Sequence, residues 1–272
     1  MLVKVVAVQA RMGEPLSLEE KLHVFREQPD FVCLPEYYLL DDSIEDYHRA
    51  ALHCSEYVGY LKRLSDELNT CLIAGTVVEA DGDLLYNTCY VIDRGTVIGR
   101  YRKRNPVPGE IAKGISPGNE PLLLELDDIR VGVLICGDVF NQSLYREMYG
   151  RGADVVFIPT TSAYRPADSL TRKAYRDEIY FRQGAELAGA YVVKTCGVGR
   201  IFRHPLQGRS LIAAPWGLLT RVQADSELSK RMLREILDIA ELRDFRSKYG
   251  SAEQPIMDEM QGRHVNPGSG SL

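Results

Sequence analysis

The sequence predicts an α/β fold built on a mixed sheet. Short β-branched or apolar runs alternate along the chain with segments of helical period. Asp81-Gly82 and Arg94-Gly95 are turn signals between successive strand-like runs, so those runs pair as antiparallel hairpins. Other strand-like runs are separated by helices, which calls for parallel crossovers.

Strands are expected at 3–8 (VKVVAV), 31–34 (FVCL), 71–78 (CLIAGTVV), 84–92 (LLYNTCYVI) and 96–101 (TVIGRY). Further ones are expected at 130–136 (RVGVLIC), 153–158 (ADVVFI) and 191–195 (YVVKT). Each is rich in the residues that suit a pleated, half-buried surface. Apolar residues at helical spacing mark 18–27, 44–68, 143–151, 170–188 and 227–245 as helices. FREQPDFVCLPEYY and YGRGADVVFIPTTS echo each other: helix end, Asp, apolar strand, Pro, polar loop. Two similar halves would bring both loops to one sheet edge.

No linker interrupts residues 1–250, which read as one domain, and residues 251–272 read as an extended or flexible tail. The Pro- and Gly-rich stretch 105–121 reads as an active-site loop.

The chain has 272 residues, 45% of them hydrophobic, and a net charge of -5. That suits a soluble protein with a substantial core, and gives no reason to expect a nucleic-acid surface. The apolar stretch near the start is too short for a secretory signal, and no run is long enough to span a bilayer. A cytoplasmic location with no membrane partner is expected. Cys33, Cys54, Cys71, Cys89, Cys136 and Cys196 form no CxxC pair, and the histidines have no ligand spacing. No metal or other cofactor is expected; GVGRIF at 197–202 lacks the third glycine of a dinucleotide fingerprint.

Three distant residues, each just past a strand-like run, bring complementary chemistry. Cys136 in VGVLICGDVF is a potential nucleophile. A cysteine at a strand end is more often a packed hydrophobe. Here Gly137 follows, leaving room for a substrate and an N–H for an oxyanion. Glu36 in LPEYY is a loop carboxylate flanked by apolar and aromatic residues, and such enclosure strengthens a base. Lys103 sits in a basic cluster with Arg100, Arg102 and Arg104, but strand alternation turns it away from Arg102 and Arg104. Glu110, on a stiff loop in NPVPGE, is positioned to orient that lysine or a water. Candidate substrate contacts are Tyr37, Gly137, Thr160, Thr161 and Ser162, with Tyr164, Arg165 and Arg172 as further pocket candidates. An arginine there would favour an acidic substrate.

The order Glu36, Lys103, Cys136 with these flanks resembles the nitrilase or carbon–nitrogen hydrolase superfamily. VKVVAVQA, LPE, YRK, PGNE, VGVLICGD, GADVVFIP and GRSLIAAPWG extend the resemblance over almost the whole chain. It implies a four-layer α-β-β-α sandwich of the nitrilase type, a Glu-Lys-Cys triad and often a second Glu, here Glu110. It also implies a homodimer or higher homo-oligomer formed through helices. The small residues Gly184, Ala185, Ala188, Gly189 and Ala190 are one sequence hint of such close packing. The chain departs from many relatives in having Gly137 where an aromatic residue follows the cysteine. Phe140, Asn141, Gln142 and Ser143 stand where many have Arg-Phe-Pro-Glu. Arg146 matches a common family arginine and is expected to pair with Asp138.

The expected reaction is cysteine-dependent hydrolysis of a small linear amide through a thioester. Glu36 serves as base, Lys103 and the Gly137 N–H as oxyanion partners. Nitrile hydrolysis, N-acyl transfer and a catalytically silent binding homologue are the alternatives. No GxSxG elbow supports serine catalysis.

Overall fold

The computed structural model describes residues 1–250; the expected tail at 251–272 lies outside the described residues. Two sheets lie face to face between outer helices. The first has seven strands. Arg231–Asp238, Leu2–Gln9, Phe31–Cys33, Cys71–Ile73, Leu84–Asp93 and Val77–Asp81 follow one another across it, with Thr96–Arg102 also paired to Leu84–Asp93. The second runs Gly217–Arg221, Leu211–Ala214, Tyr191–Cys196, Val155–Thr160, Ile129–Val133, Leu123–Leu126.

Both sheets are mixed, as the sequence predicts. Leu2–Gln9 pairs parallel to Phe31–Cys33 and antiparallel to Arg231–Asp238. Val155–Thr160 is parallel to both its neighbours, and the outer pairs of that sheet are antiparallel. The hairpins expected at Asp81-Gly82 and Arg94-Gly95 form, and Arg94 and Gly95 take the positive φ their tight turn demands.

The two-residue period of each strand divides its side chains between two cores. Val5, Ala7 and Phe31 from one sheet meet Val131, Val133, Phe157 and Val193 from the other. The Phe31 and Phe157 rings lie 5.6 Å apart across the sheet interface. Val6, Val8 and Val32 point the opposite way, onto Val24, Leu61, Leu64 and Leu68 of the helices Leu18–Glu27 and Cys54–Leu68. Leu144, Met148, Ala185 and Ala188 bring the helices Gln142–Gly150 and Gln183–Ala188 into the core of the second sheet. The result is the four-layer α-β-β-α sandwich.

Local signals set the helix ends. Ser17 and Glu20 form a reciprocal capping box that starts Leu18–Glu27, and Gln28 closes it in the left-handed conformation. Ser169 caps Leu170–Asp177, which continues through a π-helical turn, Glu178–Arg182, into Gln183–Ala188. Gly184 lies in that last stretch because Tyr145 packs onto it; a Cβ there would sit 2.4 Å from the Tyr145 Cζ. Ala185, Ala188 and Ala190 are fully buried as well, so these small residues serve packing within the chain.

The expected helix over 227–245 is corrected by the structure. Arg231–Asp238 is a strand, and the helix begins only at Ile239, capped by Asp238. Apolar residues at 232, 233, 236 and 237 fit a helical period as well as a strand. The open edge of Leu2–Gln9 decides between them, because its N–H and C=O groups need partners and are paired along the whole strand, from Leu2↔Asp238 to Gln9↔Arg231. The expected strand over 71–78 is broken in two, and that over 130–136 ends at Val133, before the cysteine. Leu123–Leu126 was not foreseen; it turns into Ile129–Val133 through Asp127 and Asp128, both at positive φ. Among the described residues no helix is long and apolar enough to cross a membrane.

Candidate active site

Glu36, Lys103 and Cys136 line one cavity of ≈ 680 Å³, together with Glu110. Each comes from the end of a different strand. Glu36 follows Phe31–Cys33, and Lys103 follows Thr96–Arg102. Cys136 opens a 3₁₀ turn, Cys136–Phe140, shortly after Ile129–Val133.

The chain is held tightly at these points. Gly75 packs behind the Leu34-Pro35-Glu36 loop at φ +63, where a Cβ would lie 2.1 Å from the Pro35 carbonyl oxygen. Tyr37 and Cys136 have φ of 55 and 36, the left-handed region that side chains disfavour. Such strain is of order 1–3 kcal/mol per residue and persists only where surroundings enforce it. Gly137 meets the same crowding: a Cβ would sit 2.7 Å from Val107 Cγ1 and 2.8 Å from the Asn105 carbonyl oxygen.

Lys103 joins the two carboxylates. Its Nζ is 2.8 Å from Glu36 Oε1 and 2.6 Å from Glu110 Oε2, and all three residues are buried. Burial opposes its charge, but the carboxylates of Glu36 and Glu110 outweigh that and hold the ammonium well above the usual lysine range. Burial likewise works to raise Glu110. The Lys103 charge and hydrogen bond, the Tyr37 hydroxyl and the Val107 N–H reverse this and leave its carboxyl below the usual range. The neighbouring arginines face elsewhere, as alternation requires: Arg100 and Arg102 bind Glu79, and Arg104 binds Glu147.

Two connections reach Glu36 from across the fold. Thr161, on the loop after Val155–Thr160, donates its N–H at 2.9 Å and its hydroxyl at 2.5 Å to Glu36 Oε2. The two echoing loops of the sequence therefore meet. Asn87, buried in the strand Leu84–Asp93, donates from Nδ2 to Glu36 Oε1 at 2.8 Å and to Glu110 Oε1 at 2.9 Å. Sequence reading missed Asn87. Its signal was an amide inside LLYNTCYVI, a strand otherwise suited to apolar and β-branched residues.

The Cys136 thiol keeps partial exposure at the cavity wall and donates to the Thr161 carbonyl oxygen at 3.3 Å. Burial and then the Glu36 charge push the thiol far up, more than Lys103 pulls it down. Both effects favour the thiol over the thiolate. Behind it, Asp138 braces the turn. It accepts hydrogen bonds from Tyr101 OH and from the N–H groups of Ile135, Arg104 and Asn105. Arg146 is exposed and makes none of these contacts, which corrects the expected Arg146–Asp138 pair. Backbone donors close at hand meet the carboxylate without it.

The remaining candidates divide. Tyr37, Thr160, Thr161, Ser162 and Arg165 line the cavity, whereas Gly137 is buried behind its wall. The Tyr37 hydroxyl is committed to Glu110 at 2.7 Å, and that of Thr160 to the Ile158 carbonyl oxygen at 2.9 Å. Arg172 and Tyr164 are exposed, outside the lining. Sequence reading also missed a buried ionic group on the cavity wall, formed by Lys173, Asp177, Lys194 and Arg209 with Glu227 behind them. Lys194 was legible as a charge inside the strand-like run YVVKT.

Comparison with known proteins gives the family. The family model described as carbon-nitrogen hydrolase matches residues 7–246. The 2-oxoglutaramate amidase of Bacillus subtilis (strain 168) is 26% identical over 92% of this chain and 93% of its own. The omega-amidase NIT2 of Homo sapiens is 28% identical over 69% of this chain and 68% of its own. A carbon-nitrogen hydrolase from Helicobacter pylori G27 has the same fold, with a TM-score of 0.78 at 16% identity over 97% of this chain and 100% of its own. The chain belongs to the carbon-nitrogen hydrolase family and is a carbon–nitrogen hydrolase.

Proposed function

We propose that the enzyme hydrolyses a small linear amide to a carboxylic acid and ammonia or an amine, through a thioester on Cys136. The observation that carries this reading is the single cavity shared by Glu36, Lys103 and Cys136, with Thr161 touching both the acid and the thiol.

Attack and proton transfer are concerted in this reading. Cys136 attacks the amide carbon as its proton passes to Glu36, so no free thiolate accumulates beforehand. The carbonyl oxygen becomes negative and is met by Lys103, which lines the cavity. An ammonium about 4 Å from such an oxygen is worth about 4 kcal/mol at an effective dielectric near 20. Glu36 then gives its proton to the leaving nitrogen, the C–N bond breaks, and the acyl group remains on sulfur. Water attacks the thioester as Glu36 takes one of its protons. The C–S bond breaks, the acid leaves, and the sulfur recovers the proton. Glu110 holds Lys103 and positions the water. No step requires a cofactor.

The relatives named as amidases favour an amide over a nitrile. Ammonia release from a panel of simple amides tests the reading. The native protein should release it, and Cys136→Ala, correctly folded, should not. Release by Cys136→Ala at the native rate would remove Cys136 from the reaction.

A further inference from the structure

The cavity that holds Cys136 also holds a second group of charges. Lys173 and Asp177 come from the helix Leu170–Asp177, Lys194 from the strand Tyr191–Cys196, and Arg209 from the segment before Leu211–Ala214. Glu227 completes the group from behind. Lys194 Nζ lies 2.9 Å from Asp177 Oδ1, and Lys173 Nζ lies 2.6 Å from Glu227 Oε2. Arg209 bonds Asp177 Oδ2 at 2.6 Å and also Glu227 Oε1.

The charges do not balance. Every carboxylate oxygen of Asp177 and Glu227 already takes a bond from this group. Three cations face two carboxylates, a surplus of one positive charge among residues that are each more than nine-tenths buried. Lys173 and Lys194 each commit one ammonium N–H to a partner among the described residues, out of three available. Lys194 otherwise rests on the Phe181 ring, 4.3 Å from its centroid. Buried charge and buried polar atoms are costly unless met by a partner.

Another part of the same cavity wall carries the opposite sign. There two carboxylates, Glu36 and Glu110, share the one ammonium of Lys103. A ligand with an anionic end is repelled from these acids and attracted to the lysines.

We propose that Lys173 and Lys194 form a subsite for the far end of the substrate, and that this end is a carboxylate. The substrate is then an amide with a carboxylate remote from the scissile bond. This inference deepens the amidase reading and rests on it for the identity of the reacting end.

Binding to the Cys136→Ala protein, followed by calorimetry, tests the subsite without turnover. Glutaramate and pentanamide differ only in having a carboxylate or a methyl at the far end. Glutaramate should bind at least tenfold more tightly, and Lys194→Met or Lys173→Gln on the same background should remove most of that difference. Equal affinity for the two ligands overturns the subsite, whether or not either variant folds. An undiminished preference in both variants, each folded by circular dichroism, overturns the assignment to these lysines. Ammonia release by the native protein separates the two readings. A protein that prefers glutaramate but releases ammonia from no amide keeps the subsite and loses the amidase assignment.

Discussion

Thr161 donates two hydrogen bonds to one oxygen of Glu36 across 125 residues of sequence, at 2.9 Å from its backbone and 2.5 Å from its hydroxyl. The two residues end strands in opposite sheets, so the contact ties the sheets together at the cavity. The Thr161 carbonyl oxygen meanwhile accepts from the Cys136 thiol. One residue thus fixes the acid and the sulfur relative to each other.

Thr161→Val removes the hydroxyl and keeps both backbone contacts. A hydrogen bond to a charged group is worth about 1.5–3 kcal/mol. If that stabilisation is needed in the transition state, kcat/KM falls by roughly ten- to a hundredfold. Steady-state kinetics on the best amide, with the fold checked by circular dichroism, measures it.

The thiol makes a second prediction. Its ionisation is pushed up by burial first and by the Glu36 charge second. Glu36→Gln removes that charge, so Cys136 should ionise at lower pH and react faster with iodoacetamide at neutral pH. Amide turnover should fall at the same time by roughly 10²–10⁴-fold, the range of a lost general base. An alkylation profile against pH, read by mass spectrometry, should separate the two effects.

Asn87 does not itself line the cavity and acts as a positioning residue through both carboxylates. Asn87→Leu has similar volume but donates nothing. The loss should destabilise the fold by about 1–3 kcal/mol, the desolvation penalty of groups left short of a partner. Urea unfolding gives the stability change. Activity should fall with it, and Asn87→Gln should rescue neither fully, because its longer side chain cannot hold both oxygens.

Glu110 couples the site to acid stability. Its folded-state carboxyl lies below the usual range, so its contribution is fully present above the unfolded value and is lost as pH falls through the folded one. Unfolding curves taken from about pH 7 down to about pH 3 should show stability declining on the acid side. Glu110→Gln should be less stable at neutral pH and show a shallower decline.

Much of the fold and the central site was legible in the sequence because local patterns suffice for it. The alternating runs at 31–34 and 153–158, and the Asp81-Gly82 and Arg94-Gly95 turns, carry their own geometry. Glu36, Lys103 and Cys136 stood out because each ends a strand. What was not legible depends on distant partners. Arg231–Asp238 is a strand only because Leu2–Gln9 needs one beside it. Asp138 looks like a partner for Arg146 until backbone N–H groups from the Lys103 loop reach it first. Lys173, Lys194 and Arg209 lie on three separate segments, and although Lys194 stands out as a charge inside YVVKT, nothing local to it names the other two as its neighbours.

The most direct test is to trap the intermediate. Native protein turning over its best amide is quenched in acid, digested and mapped by mass spectrometry. The account predicts an acyl mass on the peptide containing Cys136, absent from Cys136→Ala and lost on treatment with hydroxylamine. Turnover with every cysteine-containing peptide unmodified, or with the acyl group on Cys33, Cys54 or another residue, would contradict it.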